Sequence, residues 1–304
     1  MRRQVLIGLV VAAGLVMGTG LLVWASAQGL FSPHGKAKRL LSRAQQAMQQ
    51  HQWDEAQAKL EELAATFPDS PWVDDGLLDL GKVYEQQQQL TKAQATYQLL
   101  LERFPSSPLV ADAQTRLGAV NLAMLFSPSI GGKDAVYDVK PGDTLGQIAH
   151  TNHTTVELIK RANSLPGDTI RPSQKLKVPK GTFRILVDKS QNQLLLTEDN
   201  QFFKLYPVAT GSNNSTPVGT FKIVTKIPNP VWYRQGAVVP PDSQENILGT
   251  RWMGLDKEGY GIHGSVDPSG IGHQVTAGCV RMHNPDVEEL FSILPAGSEV
   301  TIVD

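Results

Sequence analysis

Two residue types in this chain could make a nucleophile and its base. Cys279 is the only cysteine among 304 residues and lies in Val275-Thr276-Ala277-Gly278-Cys279-Val280-Arg281-Met282. His263 sits sixteen residues upstream, in Tyr260-Gly261-Ile262-His263-Gly264-Ser265. A thiol attacks as the thiolate, and a nearby imidazole can take its proton. The segment Gly264 to Gly278 contains several Gly and a Pro, so it can fold back and bring the two side chains together. An acyl oxyanion would then need preorganised donors, which the backbone N–H groups of Ala277, Gly278 and Cys279 could supply. Arg281 can offer a bidentate guanidinium to a carboxylate, with a structural ion pair as the competing reading. Trp232, Tyr233 and Trp252 are candidates for a cleft wall or for core. His273 and His283 read as exposed or backbone-satisfied. No His/Asp/Glu cluster has metal-ligand spacing and no Gly-rich phosphate loop occurs, so neither metal nor cofactor is expected.

The elements around this pair carry their own signals. A formal net charge of −1 lacks the basic excess of a nucleic-acid binder. A single cysteine excludes a disulfide framework. Val5 to Trp24 are twenty uncharged, mostly apolar positions preceded by Arg2 and Arg3, the length of a bilayer-spanning helix. Residues 1–27 are therefore expected to be a signal anchor or signal peptide, despite Ala25-Ser26-Ala27 resembling a cleavage site. The leading arginines leave the rest of the chain outside the cytoplasm, in the cell envelope. An unpaired thiol there is exposed to oxidation, which makes its retention notable.

The remainder reads as several domains. Residues 36–126 are expected to be all-helical and repetitive, because Phe67-Pro68-Asp69-Ser70-Pro71 recurs as Phe104-Pro105-Ser106-Ser107-Pro108. At the same offset Leu40 and Leu41 match Leu77 and Leu78, and Leu80-Gly81 matches Leu117-Gly118. Residues 127–135 read as a linker. Residues 136–180 read as strand, helix, helix, strand, the helices opened by capping boxes at Thr144/Gln147 and Thr154/Glu157. From 182 to 304 alternation dominates: strands through Phe183–Val187, Leu194–Leu196 and Phe203–Pro207, a helix at Pro285–Ile293 and a final strand at Val300–Val303.

Three resemblances follow from these residues. The helical repeat resembles the tetratricopeptide family, which implies a concave surface for a protein partner; a rigid spacer is the alternative. Tyr137, Val139, Gly142-Asp143-Thr144-Leu145, Ile148-Ala149, Leu158, Asn163, Leu165, Ile170, Pro172, Gln174, Leu176 and Pro179 resemble the LysM family. That family implies a small βααβ module binding N-acetylglucosamine-containing glycan through Gly142, Asp143, Thr144, Leu145, Asn163 and Ile170. Ser173 departs from it, standing where Gly is usual. Thr216-Pro217-Val218-Gly219-Thr220-Phe221, Ile262-His263-Gly264, Ser269-Gly270-Ile271-Gly272 and Gly278-Cys279-Val280-Arg281-Met282 together resemble the L,D-transpeptidase catalytic domain, also called YkuD-type.

The last resemblance implies a mainly-β, sandwich-like domain with Cys279 as nucleophile and His263 as general base, then acid. The Gly264 carbonyl would orient the imidazole, and Thr276 and Arg281 would contact substrate. Cys279 would attack the third residue of a peptidoglycan tetrapeptide stem, expel D-alanine and hold a thioester. A second stem amine would then resolve it into a cross-link. Water would make the enzyme a carboxypeptidase, a protein lysine would make it an anchoring enzyme, and a non-catalytic wall-binding scaffold is a further rival. Ala277 departs from the family, standing where a second histidine is frequent.

Overall fold

The computed structural model describes residues 32–234 and 236–304. The anchor expected at residues 1–27 lies outside the described residues; among those described, no helix is long and apolar enough to cross a membrane. The chain divides into two compact units, one ending at Arg116 and one running from Leu117 to Asp304.

The first unit is helical. Helices α1 (Pro33–Gln49), α2 (Trp53–Thr66), α3 (Val73–Gln86) and α4 (Leu90–Arg103) alternate with short turns, and α5 (Val110–Leu125) begins here. The sequence repeat is a repeat of geometry. His51 and Gln88 occupy matching left-handed positions after α1 and α3, at φ 57° and 58°. Phe67 and Phe104 leave the helical region after α2 and α4, at φ −129° and −126°, because each precedes a proline. Apolar residues at helical spacing, among them Leu41, Leu60, Leu63, Leu77, Tyr97 and Leu100, fill its core.

In the second unit, β1 (Asp134–Asp138) and β2 (Lys175–Pro179) pair antiparallel around α6 (Leu145–Thr151) and α7 (Val156–Ala162), the expected βααβ order. Thr144 and Gln147 form the expected capping box. The second box is displaced: α7 is capped by Thr155, not Thr154, with the Leu158 N–H donating to the Thr155 hydroxyl at 2.9 Å. Thr155 wins because the same hydroxyl donates to the Ser292 carbonyl, while the Thr154 hydroxyl is buried without a partner. Ser173 adopts φ 68°, a left-handed turn in which a β-carbon is mildly strained.

The remaining strands build one eight-stranded sheet. Its order is β13 (Val280–Arg281), β11 (Gly261–His263), β10 (Arg251–Leu255), β7 (Gly219–Pro228), β14 (Glu299–Val303), β3 (Phe183–Asp188), β4 (Gln193–Glu198), β5 (Gln201–Pro207). Strand β7 joins two halves: Gly219 to Lys222 pair with β14, and Ile223 to Pro228 pair with β10. The sandwich-like expectation thus takes the form of a single mixed sheet handed over along one long strand. Helix α8 (Asn284–Ile293) covers it through Val287, Leu290 and Phe291.

Two expected boundaries carry more structure than a linker would. Leu122 and Leu125 of α5 belong to the core of the second unit, and the Asn121 amide donates to the Phe203 carbonyl at 2.8 Å. Buried Lys177 donates to the carbonyls of Met124 and Ser127 at 2.9 and 3.0 Å and pairs with Asp134 at 3.3 Å. Residues 127–135 are therefore fastened, not loose, because a buried ammonium must find its acceptors there.

Candidate active site

The His–Cys pair is assembled by a parallel ladder. In β11 and β13, Ile262 pairs with Val280 and His263 with Arg281. Side chains alternate along a strand, so buried Ile262 and Val280 face the core while His263, Arg281 and, one step earlier, Cys279 share the opposite face. Adjacent strands lie about 5 Å apart, so this ladder sets His263 beside Arg281 and puts Cys279 on the same face two residues earlier. The residues between His263 and Cys279 run through a short 3-10 turn at Pro268–Gly270 and return as β12 (Gln274–Thr276), which pairs with β6 (Thr210–Gly211).

His263 is 2% exposed, and its Nδ1 lies 2.7 Å from the Gly264 carbonyl oxygen. That contact selects the tautomer with Nδ1 protonated and leaves Nε2 as the base lone pair. The Trp252 indole stacks on the ring, with centroids 6.0 Å apart and planes 23° from parallel. Burial pushes the His263 pKa down to about 4, and the positive charge of Arg281 pushes the same way; the Gly264 carbonyl resists. Burial pushes the Cys279 thiol up, opposed by the Gly261 backbone and by Arg281. Both groups are thus neutral at rest. The half-buried thiol donates to the Gly259 carbonyl at 3.5 Å, and among the described residues no hydrogen bond joins it to His263.

The turn before Cys279 is tied by Thr276. Its buried hydroxyl donates to the Cys279 carbonyl at 2.6 Å and accepts from the Gly278 N–H at 3.2 Å. Thr276 therefore ties the turn as well as lining the cleft, and the Gly278 N–H already has the Thr276 hydroxyl as a partner, unlike those of Ala277 and Cys279. Gly278 is at φ 135°, and a β-carbon there would lie 2.7 Å from the Tyr260 ring, so both conformation and space demand glycine.

His263, Cys279, Thr276, Ala277 and Arg281 open onto one cleft of about 480 Å³. Its wall includes Trp232, Tyr233 and Trp252, the aromatics whose role the sequence left open between cleft and core, together with Ile247 and Leu248. Trp232 and Tyr233 stand on β8 (Trp232–Arg234), which pairs with β9 (Ala237–Val239) as a separate hairpin. The Arg281 Nε is buried without a hydrogen-bond partner, and the guanidinium charge helps hold the Asp267 carboxyl below its usual range, after the hydrogen bonds from Ser269. His273 is exposed and outside the cleft wall. Among the described residues no cluster of His, Cys, Asp or Glu could hold a metal.

Four of the expected glycan residues also have structural partners within their module. The Asp143 carboxylate accepts from the Lys140 N–H at 2.8 Å and the Tyr137 hydroxyl at 2.9 Å. Thr144 caps α6, and Leu145 is core. The Asn163 amide donates to the carbonyls of Ile159 and Lys177, and its oxygen accepts from the Lys177 N–H. Only Leu145 of the six is buried; Gly142 and Thr144 are exposed, and Asp143, Asn163 and Ile170 are half-buried.

Residues 182–302 match the L,D-transpeptidase catalytic domain, residues 137–179 the LysM domain and residues 47–117 the tetratricopeptide repeat. A Bacillus licheniformis relative bearing the name L,D-transpeptidase YkuD is 38% identical over 55% of this chain and 98% of its own length. Its Bacillus subtilis namesake is 35% identical over 55% of this chain and 97% of its own. Among solved structures, an L,D-transpeptidase from Mycobacterium smegmatis is similar at 17% identity and a TM-score of 0.35, over 43% of this chain and 64% of that one.

Proposed function

Since the chain belongs to the L,D-transpeptidase family as an enzyme of the YkuD type, we propose that it cross-links peptidoglycan stems through a thioester on Cys279. The observation that carries this reading is that His263, with Nδ1 against the Gly264 carbonyl, and Cys279 share one strand face and line one cleft. The Cys279 sulfur attacks the carbonyl carbon at the L-centre of the third stem residue, and the thiol proton passes to His263 Nε2. Backbone N–H groups of Ala277 and Cys279 face the developing oxyanion. Collapse breaks the C–N bond to the terminal D-alanine, whose amine takes the proton back from His263. An amine from a second stem then attacks the thioester and gives its proton to His263. Cys279 leaves as the thiol, and an amide has formed without nucleotide or cofactor.

The neutral resting pair fits this course. A buried thiolate–imidazolium pair would be costly before substrate arrives, so proton transfer accompanies attack. Arg281, whose Nε is buried without a hydrogen-bond partner, would take a stem carboxylate. The LysM module would hold the glycan strand, the helical repeats would take a protein partner, and residues 1–27 would anchor the enzyme outside the cytoplasm.

Incubation of the full chain with a purified tetrapeptide muropeptide, followed by mass analysis, tests the reading. A cross-link between two third residues is expected. Tripeptide alone would make water the acceptor, and a stem peptide on a protein lysine would make it an anchoring enzyme. A carbapenem should add covalently to Cys279; folded protein that stays unmodified would favour a scaffold.

A further inference from the structure

Gly264 can orient His263 only if its own peptide is fixed, and the structure assigns that task to Asn284, the first residue of α8. The Asn284 Oδ1 accepts from the Ser265 N–H at 3.0 Å and from the Thr250 N–H at 3.1 Å. Ser265 N belongs to the same peptide group as the Gly264 carbonyl, so the amide oxygen of Asn284 sets the plane in which that carbonyl meets His263 Nδ1. The Thr250 bond ties this peptide to the start of β10, the strand that carries Trp252 against the other side of the imidazole. One amide oxygen thereby holds two of the groups that define the ring's position.

The surroundings are cleared for that oxygen. A β-carbon on Gly264 would lie 2.1 Å from Asn284 Oδ1, and one on Gly249 would lie 2.2 Å from it. Gly249 also adopts φ 62°, where glycine is favoured. Asn284 touches neither thiol nor cleft; it is a positioning residue acting through the Gly264 peptide. The inference rests on His263 as the base. A hydrophobic or shorter side chain at position 284 would leave two N–H groups unpaired and free the peptide to turn.

The experiment compares the full-length wild type with Asn284→Ala and Asn284→Asp. Misplacing a catalytic group by about 1 Å costs on the order of 10²-fold, so Asn284→Ala should lose about that in kcat while KM stays within about twofold. Asn284→Asp keeps the acceptor and the shape, and should restore kcat to within about threefold of wild type. Its new carboxylate favours imidazolium, so the acid limb of its pH–rate profile should move upward, a change that a merely structural role would not produce. Wild-type kcat in a folded Asn284→Ala would overturn the assignment, as would an Asn284→Asp with alanine-like kcat. If Asn284→Ala does not fold, the Asp variant's profile decides alone, and an unmoved acid limb sinks the inference. A chain in which His263→Ala retains full activity would instead remove the reading on which the inference rests.

Discussion

His263 combines two properties that pull against each other, complete burial and a need to accept a proton. Its pKa falls to about 4 because the charged ring would be stripped of water beside Arg281. A base must be unprotonated, so the acid limb of kcat/KM should lie near pH 4, well below the ordinary histidine value of about 6.5. A limb near 6.5, measured with a tetrapeptide donor, would show that the ring is hydrated in the working enzyme. The same shift is a stability statement. The folded pKa is depressed, so this contribution is full above the unfolded value of about 6.5 and lost as pH falls toward about 4. Relative to His263→Gln, the wild type should lose about 3 kcal/mol between pH 7 and pH 4, read from urea unfolding at each pH. Cys279→Ala should abolish turnover while glycan binding persists, as a pull-down on purified sacculi would record.

At the scale of elements, the turn from Thr276 to Cys279 sets the nucleophile on its strand. Thr276→Val keeps the shape but leaves the buried Gly278 N–H and the Cys279 carbonyl without the hydroxyl, a cost of about 1–3 kcal/mol. Thr276→Ser should retain both bonds and near-normal activity. Equal activity of the two variants would remove the hydroxyl from the argument. The contact between His263 and Gly264 is readable because the two are neighbours in the chain, and the repeat is readable because Pro-ended helices recur. The start of α7 falls one residue later than the Thr154/Glu157 spacing predicts, because both threonines can cap locally and the distant Ser292 carbonyl engages Thr155. Asn284 gave no signal, since its partners lie 19 and 34 positions away. Trp232, Tyr233 and Trp252 could not be assigned to core or cleft, because strand alternation gives two faces without saying which one is open.

For the molecule as a whole, the consequential feature is how the LysM module joins the catalytic domain within one compact unit. Leu158 of α7 is part of the catalytic hydrophobic core. The Thr155 hydroxyl donates to the Ser292 carbonyl, and Arg161 donates to the Ser292 hydroxyl at 3.2 Å while its guanidinium lies 3.6 Å from the Phe126 ring centroid. Lys177 fastens the opposite edge of the module to the connecting segment. A module held by core packing, buried hydrogen bonds and a stacked cation cannot swing on a tether. Glycan bound to it would therefore be presented to the cleft at a fixed offset. Native-state hydrogen exchange of the full chain checks this: amides of α6, α7 and β2 should open with the same free energy as those of β3 and β4. Leu158→Ala should cost about 2–5 kcal/mol and lower the opening free energy of both sets together. Exchange in which the LysM amides open far more readily than the sheet, with Leu158→Ala affecting them alone, would mean the module is an independent body and its register on the wall is not set by the fold.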